Sequence, residues 1–134
     1  MKKFLVACIL FLYVGIASAG EEKKVTFAAT VTDGVQRVEI LGGDYYFEPN
    51  HIIVKKDIPV EFVVKKAPGM VPHNIVMNEP DAGMVFKIDF GKEGEVVTFT
   101  PTKAGTYAFY CDKRFLFFKS HEERGMHGEI EVTD

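Results

Sequence analysis

From Val25 onward the chain is cut into short β-favouring runs by turn signals, and no segment carries a long helical apolar period. Residues 25–32 (VTFAATVT) end at Asp33-Gly34, a dipeptide suited to the positive φ angles of a tight hairpin. Residues 35–41 then alternate apolar and polar side chains before Gly42-Gly43-Asp44. Further runs follow at 45–47, 52–55, 60–65, 73–77, 85–90, 95–100, 106–111 and 129–133, separated by Pro, Gly and Asp clusters. About eight strands in a chain of this length predict an all-β Greek-key sandwich. Residues 25–41 fit either a hairpin ahead of that sandwich or its first two strands. No repeat, low-complexity tract or linker divides the chain, so one domain is expected, over residues 20–134.

The first nineteen residues belong to a different kind of segment. Met1-Lys2-Lys3 is basic, residues 4–16 are almost wholly apolar, and Ala17-Ser18-Ala19 supplies small residues for a peptidase. That is the build of a secretory signal peptide, cleaved after Ala19. The apolar run falls short of the roughly 20 residues that span a bilayer, and the charged 21–24 segment follows at once. Stable membrane insertion is therefore not expected; a periplasmic or secreted protein is. A lipid-attachment reading of Leu5-Val6-Ala7-Cys8 is disfavoured, because cleavage there leaves too short an apolar core.

The chain carries a formal net charge of −3, and losing Lys2 and Lys3 makes it two units more negative. Nucleic acid calls for a basic face and is not the expected partner. Cys8 leaves with the signal, so the mature chain keeps one cysteine, Cys111. A lone thiol in an oxidising compartment must be buried, paired between chains or bound to metal.

Three segments place metal-ligand types near strand ends. They are Met70-Val71-Pro72-His73-Asn74, Gly105-Thr106-Tyr107-Ala108-Phe109-Tyr110-Cys111, and His121-Glu122-Glu123-Arg124-Gly125-Met126-His127-Gly128. Two imidazoles, a thiolate and a distant thioether suit copper, and the trigonal His-His-Cys plane with a weak axial Met is an electron-transfer arrangement. Cys111 closing one strand and Met126 opening the next would share a pole of the sandwich, with His73 arriving from another strand.

These segments resemble the cupredoxin family, the plastocyanin and pseudoazurin type of blue copper protein. Pro72-His73-Asn74-Ile75-Val76 resembles its first histidine segment, and Gly105-Thr106-Tyr107 through Tyr110-Cys111 its cysteine strand. His121, Met126 and the Gly128-Glu129-Ile130-Glu131-Val132 run resemble the second histidine, the axial methionine and the last strand. Phe47-Glu48-Pro49 with Ile52-Ile53-Val54 resembles an early strand, so the likeness runs from about Tyr45 to the end. It implies one copper ion held by His73, Cys111, His121 and axial Met126, with Asn74 bonding between the ligand loops. It also implies single-electron transfer between redox partners rather than catalysis, and a monomer.

One departure stands out: Asp112 to Ser120 separate Cys111 from His121, a longer loop than the family's usual spacing. Within it Phe115-Leu116-Phe117-Phe118 form either a docking patch for the redox partner or a small satellite core. His127 is a spare imidazole beside Met126, which would suit a copper chaperone or storage protein, the alternative function. An open-site copper enzyme and a zinc site are further readings the ligand types allow. A two-copper site needs a second cysteine that the mature chain lacks. His51 is expected on an exposed strand edge, and Met70, Met77 and Met84 as core or loop fillers rather than a methionine copper track. Tyr45 and Tyr46 are expected in the sandwich interior or at its edges.

Overall fold

The structure, a computed structural model, describes residues 23–134. The signal segment and the cleavage position after Ala19 lie outside the described residues. Eleven strands follow among those described: β1 (Thr26–Ala28), β2 (Val31–Thr32), β3 (Val35–Gly43), β4 (Tyr46–Glu48), β5 (His51–Lys55), β6 (Val60–Lys66), β7 (His73–Glu79), β8 (Met84–Phe90), β9 (Glu95–Phe99), β10 (Gly105–Tyr110) and β11 (His127–Thr133). A single 3₁₀ turn at Pro80–Ala82 links β7 to β8.

Two mixed sheets face each other. One runs β1-β5-β11-β10-β7-β8; the other runs β2-β3-β6-β9, with β4 folded onto the end of β3. Ten sequence runs become eleven strands because the first run breaks in two. β1 pairs parallel with β5 in the first sheet, while β2 pairs antiparallel with β3 in the second. The Asp33-Gly34 turn takes φ of 53° and 76°, the doubly positive geometry that lets a two-residue loop match the twist of its strands. Residues 25–41 thus belong to the sandwich itself, and β3 is an inner strand parallel to β6.

Alternation along β3 and β6 sends Val38, Ile40, Val60, Phe62 and Val64 inward, where all are buried. Phe62 packs edge-on against Phe99 and Phe86 and reaches Phe109 on the facing sheet. Phe47 joins Phe109 to Phe90, so one aromatic line leads from mid-core toward the start of β7. Gln36 is buried at the other end of β3, and its amide is well satisfied. Nε2 donates to the carbonyls of Lys55 (3.0 Å) and Ile58 (3.1 Å), and Oε1 accepts from Lys55 N (2.7 Å).

His51 is not the exposed edge residue expected. β5 lies between β1 and β11, and the imidazole of this buried residue sits between Thr26 Oγ1 (2.9 Å) and Glu131 Oε2 (3.0 Å). The parallel pairing of β1 covers it, which short-range alternation cannot reveal. Met77 and Met84 are core residues and Met70 is almost fully exposed, so no methionine track forms. Tyr46 lies exposed at the margin of the second sheet.

Candidate metal centre

Strand pairing gathers the candidate ligands at one pole. β10 runs antiparallel to both β7 and β11, so the end of β10 meets the beginnings of the other two. His73 opens β7, Cys111 follows β10, and His121 and Met126 precede β11. Cys111 N donates to Met126 O (3.0 Å) and Met126 N to His121 O (2.9 Å), which ties the cysteine strand to the His121–Met126 segment by backbone.

His73, Cys111 and His121 are buried, with their donor atoms all within 4.8 Å of one another. His73 Nδ1 lies 3.3 Å from His121 Nδ1, and that nitrogen lies 3.5 Å from Cys111 Sγ. Metal–donor lengths of about 2.0–2.3 Å in a flat three-donor set put neighbouring donors roughly 3.5–4 Å apart. The two short edges, 3.3 and 3.5 Å, lie close to that spacing, and the Cys-His-His chemistry suits copper. Met126 is wholly buried at the same pole, its terminal methyl against Gly42. A side chain at Gly42 would overlap the Phe90 ring, which stacks on His73 at 6.2 Å.

Around the triangle, Asn74 bridges β7 to the residue after the cysteine. Its backbone N–H points at Cys111 Sγ (3.4 Å), its Nδ2 donates to Asp112 Oδ1 (2.6 Å), and its Oδ1 accepts from Asp112 N (3.0 Å). Asp112 is held in turn by Lys87 at 2.8 Å. Burial pushes both imidazoles below their ordinary pKa, with His121 adding to the effect on His73 and Arg124 to that on His121. Burial pushes the Cys111 thiol up, opposed by N–H groups of Asn74 and Lys113. Both shifts favour the uncharged forms near neutral pH, neutral imidazoles and a protonated thiol, and metal binding would displace that thiol proton.

The other His73 nitrogen is left over. Nε2 has no hydrogen-bond partner; Asp44 Oδ1 is 3.5 Å away, within ion-pair range but outside hydrogen-bond geometry. Tyr45, expected among the packing residues, sets its ring edge-on to His121 at 5.1 Å. His127 lies beside a separate depression with Lys24 and Asn50.

The long loop leaves the triangle intact. His121 N donates to Lys113 O (2.9 Å), closing the excursion at its base. Ser120 and Glu123 then form a reciprocal cap, Ser120 N to Glu123 Oε1 and Glu123 N to Ser120 Oγ, both 3.2 Å. Arg124 N and Gly125 N bond back to His121 O and Glu122 O, so one tight turn carries His121 toward Met126. Phe115, Leu116 and Phe117 project from the excursion, with Phe117 86% exposed, and Phe118 stacks against Phe115 and Phe117. A cavity of about 510 Å³ opens beside His121, lined by Tyr45, Met70, Pro72, Phe115, Phe118 and Arg124 among others.

Residues 4–132 match the model of the cupredoxin-like domain family. The chain is a cupredoxin. It is 32% identical over 131 residues to a chloroplastic plastocyanin of Oryza sativa subsp. indica, covering 90% of this chain and 79% of that one. It is 35% identical over 98 residues to a plastocyanin of Daucus carota, covering 68% and 91%. In fold it resembles the metal-binding domain of a Cu(I)-exporting P-type ATPase from Streptococcus pneumoniae D39, with TM-score 0.63, 21% identity and coverage of 84% and 100%. The cofactor of this cupredoxin is one copper ion, for which the His-Cys-His cluster is the candidate site.

Proposed function

We propose that this cupredoxin carries single electrons between redox partners, and that His73 Nδ1, His121 Nδ1 and Cys111 Sγ would hold its copper, with the Met126 thioether as a further, weaker donor. The convergence of those three atoms at 3.3 and 3.5 Å carries the reading. Bound copper supplies a one-electron couple between Cu(I) and Cu(II). The protein supplies rigidity: Cys111 gives up its proton on binding, and the Asn74–Asp112 pair holds its sulfur against β7. Strand ends and backbone bonds fix each ligand before the metal arrives, which limits rearrangement when the charge changes.

The partner meets the protein beside His121, where Phe115, Leu116, Phe117 and Phe118 present apolar surface. Residues 1–19 direct export and are removed, leaving 20–134 as the mature domain in the periplasm or outside the cell; the N-terminus of the purified protein, read by mass spectrometry, tests this. Among the described residues no helix is long and apolar enough to cross a membrane.

The deciding experiment is a visible and electron-paramagnetic-resonance spectrum of Cu(II)-loaded protein beside Cys111→Ser. An intense thiolate-to-copper band, absent from the variant, supports the carrier. A weak Cu(II) spectrum insensitive to Cys111 overturns it. Reversible, moderate-affinity Cu(I) binding without a stable redox couple would instead favour copper delivery.

A further inference from the structure

The hairpin tip between β3 and β4 reaches both candidate imidazoles. Asp44 and Tyr45 are its two turn residues, and Tyr45 takes a φ of 66°, so consecutive side chains leave the turn toward the same pole. Tyr45 sets its ring edge against His121, and the Arg124 guanidinium covers that ring at 4.7 Å. Asp44 lies at His73, whose side chain has no exposed surface and whose Nε2 is buried without a hydrogen-bond partner.

An imidazole that gives Nδ1 to a metal carries its remaining proton on Nε2, and metal-bound histidines hand that proton to an acceptor. Water does not reach this nitrogen. Asp44 Oδ1 lies 3.5 Å from it, and closing by about 0.3–0.5 Å brings the carboxylate into hydrogen-bond range. The carboxylate is half exposed on a turn, so a small rotation meets little resistance from packing.

We propose that Asp44 is a positioning residue for the copper site, its carboxylate accepting the Nε2–H of His73 and so fixing the tautomer that leaves Nδ1 free for the metal. The inference rests on the reading of His73 as a ligand through Nδ1. A carboxylate at this place does more than a neutral acceptor would. Its negative charge makes the imidazole a stronger donor, which favours Cu(II) over Cu(I). Tyr45, braced by Arg124, limits the tilt of the second imidazole, so one two-residue turn restrains both rings.

The test compares copper-loaded wild type, Asp44→Asn and Asp44→Ala by visible spectrum, Cu(II) and Cu(I) affinity, and reduction potential. Nitrogen NMR of the Cu(I) form reports the His73 tautomer. Circular dichroism of the metal-free variants checks the fold, which an exposed turn residue should leave intact. Both variants should keep the thiolate band. They should lose about tenfold in preference for Cu(II) over Cu(I), at the low end of the usual effect of removing such an outer contact. Tenfold corresponds to a rise of about 59 mV for one electron. In wild type the His73 Nε2 proton should resonate as a strong hydrogen-bond donor to a carboxylate, and in Asp44→Ala it should move upfield. A wild-type protein with the thiolate band, and variants whose potential and affinities match it within about twofold, would overturn the role of Asp44 alone. A wild type without the band would remove the ligand reading, and the inference with it.

Discussion

Gln36 and His73 are both polar side chains buried in one sandwich, yet they have opposite character. Gln36 sits near the start of β3, and Gly42, which touches the metal pole, lies six residues along the same strand. That is about 20 Å of strand. At the first pole both amide atoms find backbone partners, and the turn after β5 is locked shut. At the second, two imidazoles and a thiol face one another closely, and an imidazole nitrogen has no hydrogen bond. Burying a polar group without a partner is costly, so folding alone favours the first arrangement. The second makes sense when a metal completes it.

The largest stability effect should come from the satisfied pole. Gln36→Ala strands one N–H and two carbonyls, and should cost about 3 kcal/mol in chemical denaturation. The copper spectrum of the folded fraction should stay as in wild type. A loss below 1 kcal/mol would remove the contrast. His73→Leu should do the reverse. Replacing a polar group in an unsatisfied cluster by an apolar one of similar size should shift metal-free stability by about 1 kcal/mol or less. It should also abolish the thiolate–copper band. A strongly destabilised metal-free variant would mean that His73 is structural.

Acidity separates the poles as well. Both imidazoles are held below their ordinary value of 6.5, so the unfolded chain takes up protons first as pH falls. Their contribution to metal-free stability is present above 6.5 and is lost as pH falls from there through their folded values. The Cys111 thiol is held above its ordinary value of 9.0, so its contribution is present below 9.0 and lost as pH rises through the folded value. Metal-free melting temperature should therefore plateau between about 6.5 and 9.0, and the acid limb should flatten in a His73→Leu, His121→Leu double variant. An unchanged acid limb in that variant would assign it to the carboxylates.

The smallest stability effect belongs to the loop. Phe115→Ser with Phe117→Ser removes two exposed rings and should change stability by about 0.5 kcal/mol or less. Copper absorption should be unchanged, and electron exchange with a partner protein should slow. Loss of folding would show that the four residues act as a satellite core.

Much of the site is legible in the amino-acid sequence. Three ordered segments carry His73, Cys111, His121 and Met126, because ligand types cluster where strands end, and the fold brings them to one pole. Asn74 follows from the resemblance to the cupredoxins, and its twofold bond to Asp112 supplies the geometry. The supporting turn at Ser120-His121-Glu122-Glu123 is legible too. Ser three residues ahead of Glu is a capping pattern, and it explains how a long loop still delivers His121. In the sequence Asp44 stands only as a turn residue and Tyr45 as the start of a strand run, since nothing local relates them to side chains far along the chain. His51 escapes a local reading for the same reason: its cover comes from β1, a parallel neighbour.

Side-chain period and turn chemistry, both local, specify the all-β sandwich and the hairpin at Asp33-Gly34. Donor types near strand ends single out three segments, and the resemblance to the cupredoxins picks the candidate ligands among them. That residues 25–41 enter the sandwich, that the loop aromatics face outward, and that Asp44 lies at His73 emerge with the folded chain. Those depend on which strands pair across long stretches of chain, and that choice is made by burying the shared core.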